Sequence, residues 1–246
     1  MCGNLGPGPR RPPGLTFGLS LATCRVLPRL IRPELLDSLP CNHPAARHNR
    51  RDLRVTNLIM GNHHWLSRLL QSRVGRFEPT LELGAGTGEI ALHLRRLGWQ
   101  VDGLDTWPAP AAWPNGARWH RADLRAFRGY GAYRVVFGNL IFHQFTAGEL
   151  GALGARLQAG PRLLIACEPV RRRLSQWLFR LISPLIGANY VSRHDAHVSI
   201  AAGFVGDELP RLLGLDAGPW AWRCATTPRG AYRMVAWRRD LPEGPS

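Results

Sequence analysis

Residues 80 to 105, TLELGAGTGEIALHLRRLGWQVDGLD, constrain this chain more than any other stretch. A short apolar run leads into three glycines at alternate positions, Gly84, Gly86 and Gly88. A helix is predicted over Glu89 to Leu97, with Ile90, Leu94 and Leu97 on one face. WQVDGLD then reads as a second strand that ends at Asp105. Strand, glycine loop, helix and strand predict a parallel sheet. A glycine loop at its carboxyl edge lets a ligand lie against backbone free of side chains. The spacing G-x-G-x-G departs from the G-x-G-x-x-G that cradles a dinucleotide pyrophosphate. Asp105 stands 17 positions after Gly88, where a carboxylate can accept both hydroxyls of a ribose. Together these features point to an adenosine with a free vicinal diol.

The alternation continues down the chain. ARWHRADL reads as a short third strand ending near Asp123, and YRVVFGNLIFHQF as an apolar strand running into a loop at Asn139. A helix is predicted from Glu149 to Leu157, and PRLLIACEP is a fifth strand whose unbroken apolar run suits burial on both faces. WAWRCATT and AYRMVAWRR flank PRG as an antiparallel hairpin. Ahead of the sheet, residues 34–76 predict two or three short helices that cap it, and residues 77–240 the main domain. Residues 1–33, rich in Pro, Gly and Arg without a usable period, are expected to be a disordered or loosely attached extension. From Arg171 to Ile186, Leu174, Trp177, Leu178, Leu181, Ile182 and Leu185 share one helical stripe. That stripe is expected to pack on the body and leave a basic outer face; the alternative is an interfacial helix lying on a membrane.

Composition narrows the class. The 246 residues suffice for one sizeable α/β domain with a short extension. The formal charge of +15 would suggest a polyanionic partner, yet every basic residue is arginine and none is lysine, as in a GC-rich coding bias spread over the surface. Nucleic acid is therefore not an expected partner. Five scattered cysteines without a C-x-x-C pair fit a reducing cytoplasm. No apolar run approaches the roughly 18 residues of a membrane-spanning helix.

LELGAGTGEIALHLRRLGWQVDGLD, with Asp105, Asp123 and the terminal hairpin, resembles the class I S-adenosylmethionine-dependent methyltransferases over Thr80 to about Arg239. The resemblance implies a Rossmann-like seven-stranded α/β sheet, mostly parallel with a reversed final strand and helices on both faces. It implies S-adenosylmethionine as cofactor, with Glu82 and the loop Gly84, Ala85, Gly86 and Gly88 at its methionine end. Asp105 would hold the ribose, Asp123 and Leu124 the adenine, and Asn139 and Leu140 would line the methionine side. NLIFHQF, ACEPVRRRL and RHDAHVSIAAGFVGDEL look like small-molecule methyltransferases of quinone and polyketide biosynthesis, and Asn57, Met60 and Gly61 lie where that family carries a lid.

The expected reaction is methyl transfer to oxygen or carbon of a small aromatic, quinone-like or polyketide-like acceptor. A histidine is the natural base for a phenol or enol. His143 follows the fourth strand, near where the reactive methyl should sit, and is the first candidate. His194 and His197 fall on a segment that resembles the family's substrate-facing insertion. Their H-x-x-H spacing lacks a third ligand, so no metal is expected. The rivals are methylation of nucleic acid or protein, and a non-catalytic module that binds the nucleoside. GNLIF lacks the Asn/Asp-Pro-Pro-aromatic tetrad of base amino-methylation, which counts against the first.

Overall fold

The computed structural model describes residues 27–40, 43–158 and 160–241. Seven strands form one sheet: β1 (Thr80–Leu83), β2 (Val101–Asp105), β3 (Trp119–Arg121), β4 (Val135–Asn139), β5 (Leu163–Pro169), β6 (Trp220–Thr226) and β7 (Ala231–Arg238). Their spatial order is β3-β2-β1-β4-β5-β7-β6. The first five pair in parallel, and β7 runs antiparallel to both its neighbours. The central strands feed two separate cores. Val136, Leu164 and Ala166 join one, whereas Val135, Phe137, Leu163, Ile165 and Cys167 join the other. A strand covered on both sides needs apolar residues at every position, which explains the unbroken runs of β4 and β5. One face is covered by α4 (Ala147–Leu157) and α7 (Glu208–Leu212), the other by α2 (Asn62–Arg73) and α3 (Glu89–Arg96). This is the expected α/β sheet with a reversed last strand.

The cap consists of a 3-10 turn at Leu36–Ser38, then α1 (Pro44–Met60) and α2, which meet at a left-handed Gly61. The buried stripe of α1 includes Asn49 and Asp52, and it faces α6 (Tyr190–Ala202). Ser192 Oγ donates to Asp52 at 2.6 Å, Asn49 Nδ2 to Asp195 at 3.4 Å, and Asn189 Nδ2 to the carbonyl of Ala45 at 2.9 Å. Hydrogen bonds dominate this α1–α6 contact, whereas α2 is bound into the core through Leu66 and Leu70.

Of the expected extension, residues 1–26 lie outside the described residues. Residues 27 to 33 are tied to the body. The Arg29 guanidinium donates to the carbonyls of Ala202 (2.7 Å), His143 (3.0 Å) and Phe145 (2.8 Å), and Arg171 Nε donates to the carbonyl of Leu27 at 2.6 Å. A boundary at residue 33 cuts through this hydrogen-bonded strap.

The helix expected after β5 is α5 (Arg173–Ile182), and its orientation reverses the expectation. None of its residues is buried. Leu174, Trp177 and Leu181 are 62%, 59% and 52% exposed, while Ser175, Gln176 and Phe179 are its partly covered residues. Gln176 Nε2 donates to the carbonyl of His197, and the hydroxyl of Ser175 lies beside Gly230. The helix rests on the fold largely by its polar side and turns its apolar stripe outward.

Candidate active site at the carboxyl edge

The loop after β1 is held from behind and open in front. Glu82 is buried, and its carboxyl accepts from the backbone N–H of Ala91 in the first turn of α3 at 2.9 Å. Burial pushes it up to about 8, so it is largely neutral at pH 7. The structure thus places the Glu82 carboxyl behind the loop, as its buttress. Gly84 has φ of 61°, and a Cβ there would stand 2.6 Å from Ile141 Cγ1. Gly86, with φ of 56°, differs: a Cβ would meet nothing closer than the carbonyl oxygen of Gly84 at 4.0 Å. The middle glycine therefore presents bare backbone to open space.

Asp105 closes the end of β2 against this loop. One carboxylate oxygen accepts from Gly86 N at 2.7 Å and the other from Trp107 N at 2.8 Å. Each oxygen retains accepting capacity. At the next corner, Asp123 pairs with the Arg125 guanidinium, which holds its carboxyl below the usual range, and Arg125 also bonds Glu149 at 2.6 Å. Leu124 is buried in the core. Here the two side chains serve the turn and the core, so the backbone is what this corner offers a ligand.

Asn139 ends β4 in a cluster of three amides. Its Nδ2 donates to Asn57 Oδ1 at 3.0 Å, and Asn62 Nδ2 donates to Asn139 Oδ1 at 2.8 Å and to Asn57 Oδ1 at 3.1 Å. This amide latch fastens the cap to the sheet edge. Helix α1 makes two further crossings: the Arg50 guanidinium lies 4.3 Å from the Trp107 ring centroid, and Arg54 pairs with Glu89. Met60 and Gly61 offer their carbonyls to Arg233. Leu140 follows with φ of 58°, the one non-glycine in the left-handed region among the described residues. That conformation costs about 1 to 2 kcal/mol. After this turn the N–H groups of Ile141, Phe142 and His143 all reach the Glu168 carboxylate, at 2.9, 2.8 and 3.3 Å.

His143 requires a correction. Its side chain is buried, with Nδ1 2.6 Å from Glu168 and Nε2 3.1 Å from Glu34. Burial alone would lower its affinity for a proton, but the two carboxylates outweigh it and raise the imidazole to about 10. An imidazolium with both nitrogens donating has no lone pair with which to accept a proton. With Glu168 on one ring nitrogen and Glu34 on the other, the geometry leaves His143 no free nitrogen for an acceptor's proton. The other two histidines do not join it. His194 Nδ1 is 3.1 Å from Asp195 on an exposed side chain, and His197 lines a separate cavity of about 400 Å³ with Leu27, Arg172 and Gln176. Among the described residues no group of three His, Cys, Asp or Glu is arranged to hold a metal.

Asp37 is a residue that sequence reasoning did not single out. It lines a cavity of about 200 Å³ with Ile31, Glu34, His143 and Gln144, just beyond β4. Although the residue is exposed at the cavity mouth, desolvation on its cavity side, with the charges of Glu34 and Asp195, pushes its carboxyl up to about 6. No local motif marks this residue, since the strap and the 3-10 turn that place it have no period to read.

No family model matches the sequence, and no curated protein matches it. Solved structures do match. The plantazolicin methyltransferase BamL, in complex with a triazolic desmethylPZN analogue and SAH, superposes with a TM-score of 0.64 at 9% identity, covering 83% of this chain and 93% of that one. The plantazolicin methyltransferase BpumL, with a monoazolic analogue and SAH, gives 0.62 at 12% identity over 79% and 90%. A structure described as the conversion of a disulfide bond into a thioacetal group during echinomycin biosynthesis gives 0.50 at 22% identity over 71% and 80%. With the strand order and the reversed β7, these likenesses show that this chain has the Rossmann-like fold of the class I methyltransferases.

Proposed function

We propose that the protein binds S-adenosylmethionine at the carboxyl edge and transfers its methyl group to oxygen or carbon of a small aromatic, quinone-like or polyketide-like acceptor. The observation that carries this reading is the open backbone of Gly86 beside the Asp105 carboxylate, on a methyltransferase fold. A bulky ligand fits against that loop, and Asp105 can accept a ribose diol with its remaining lone pairs. The backbone around Asp123 and Leu124 would flank the adenine, with Asn139 and Leu140 beside the methionine arm. When bound, the cofactor supplies an electrophilic methyl carbon on a sulfonium leaving group.

The chain's own task is alignment, exclusion of water and removal of one proton. Helix α1 roofs the edge through Arg50, Arg54 and Asn57 and keeps bulk water out. Asp37, on the cavity beyond β4, takes the proton of the acceptor hydroxyl or enol. Described Cys167 and Cys224 are free thiols, which supports a reducing compartment such as the cytoplasm. Among the described residues no helix is long and apolar enough to cross a membrane.

Calorimetry tests the reading directly. S-adenosylmethionine and its demethylated product should bind with micromolar affinity, roughly −8 kcal/mol, and NAD should not. Asp105→Ala should weaken binding by about 1.5 to 3 kcal/mol, because a charged acceptor is lost from the ribose. Tight NAD binding without S-adenosylmethionine binding sinks the proposal. Turnover on a panel of phenols and quinols separates an enzyme from a binding module.

A further inference from the structure

Among the described residues the outward stripe of α5 has no intramolecular partner of its own size. Leu174, Trp177, Leu178, Leu181, Ile182 and Leu185 are all exposed, Leu185 at 85%. In a soluble helix such a stripe is the buried one. Here the fold receives Ser175, Gln176 and Phe179 instead, so the exposure is built into how the helix sits. Six large apolar side chains held in water in one patch exceed what scattered surface residues explain.

The surroundings of the stripe are cationic. Between Glu168 and Asp195 the chain carries no acidic residue and five arginines: Arg171, Arg172, Arg173, Arg180 and Arg193. Arg171 is buried against Glu208, but Arg172, Arg173, Arg180 and Arg193 are exposed. An apolar face carrying tryptophan and leucine, bordered by arginine and free of acids, has the chemistry of a helix lying in a bilayer interface. Arginines attract anionic headgroups and the stripe enters the acyl boundary. A second copy of this chain would bring the same arginines together and repel itself.

We infer that α5 is a docking helix for an anionic lipid bilayer, with its apolar stripe immersed and Arg173 and Arg180 among the headgroups. The surface lies on the β5–α6 connection, so it brings the whole α/β body to the membrane. The inference does not depend on the cofactor reading.

Vesicle flotation of the full chain tests it, with phosphatidylcholine alone and with about one-third phosphatidylglycerol. The protein should float with the anionic vesicles at low salt, several-fold less at about 0.5 M salt, and poorly with neutral ones. The double variant Leu178→Glu, Leu181→Glu should lose partitioning by about a hundredfold or more while melting as the parent does, since both side chains point to water. Arg173→Ala and Arg180→Ala should each cost about fivefold. Failure of the parent to float with either vesicle overturns the inference. So does a dimer in sedimentation that Leu178→Glu, Leu181→Glu dissolves while vesicle binding is absent or unchanged. Vesicle binding without methyl transfer would leave this inference standing and remove only the proposed activity.

Discussion

His143→Ala is expected to remove about 3 to 5 kcal/mol of folding stability, because it takes away the positive charge that balances two buried carboxylates and leaves them only neutral donors. Glu168 is fully buried and Glu34 is largely so, and His143 lies between them. For a chain of this size the midpoint of thermal unfolding should fall by on the order of 10 °C. The pH dependence carries a sign. His143 rises from 6.5 to about 10 in the folded state, so its contribution is complete below pH 6.5 and is lost as pH climbs through 10. Burial raises Glu34, but hydrogen bonds from His143 and Ser199 and the His143 charge outweigh it and leave its carboxyl below 4.5. Its share is present above pH 4.5 and is lost as pH falls through that lower folded value. The variant's melting temperature should therefore vary less between pH 6.5 and 10 than the parent's. An alanine variant that melts within a degree or two of the parent, with the same alkaline limb, would contradict the buried-cation assignment.

Asp37→Asn is expected to lower kcat by about 10² to 10⁴ on an acceptor whose hydroxyl ionises well above the assay pH. The amide keeps the shape of the cavity wall and cannot accept the proton. With the parent, the rate should fall as pH drops through about 6, where the Asp37 carboxyl becomes protonated; with the variant that limb should vanish. An acidic phenol arrives already ionised, so on it the two proteins should differ little. Binding of S-adenosylmethionine should be unchanged, which distinguishes loss of a base from collapse of the site. Full activity of the variant on the weakly acidic acceptor, with the acid limb intact, would remove Asp37 from the mechanism and leave alignment and desolvation.

The sheet was legible because its signals are local. LELGAGTG, the run of β5 and the PRG hairpin each carry their period within a few residues, and the structure lays them out in the expected alternation. The face that α5 would bury was not legible. Helical spacing shows that Leu174, Trp177 and Leu181 share a stripe, but only the docking of Ser175 and Gln176 shows which way it points. The surroundings of His143 were not legible for a related reason. Its proximity to the fourth strand was read correctly, while its state depends on Glu168, 25 positions later, and Glu34, 109 positions earlier. A histidine's chemistry belongs to the groups around it, and here these come from a strap with no pattern of its own.

The three amides of Asn57, Asn62 and Asn139 have a kinetic consequence. On the proposed function, lifting α1 from the sheet edge breaks hydrogen bonds between uncharged groups, whose strength is nearly indifferent to pH and ionic strength. The neighbouring Arg54–Glu89 pair is a partly exposed ion pair that dissolved salt screens. Raising the ionic strength should therefore weaken the Arg54–Glu89 crossing and leave the amide cluster, one turn further along α1, in place. With α6 also holding Ala45 and Asp52, α1 should stay seated, and any exchange beneath it should accelerate only modestly with salt.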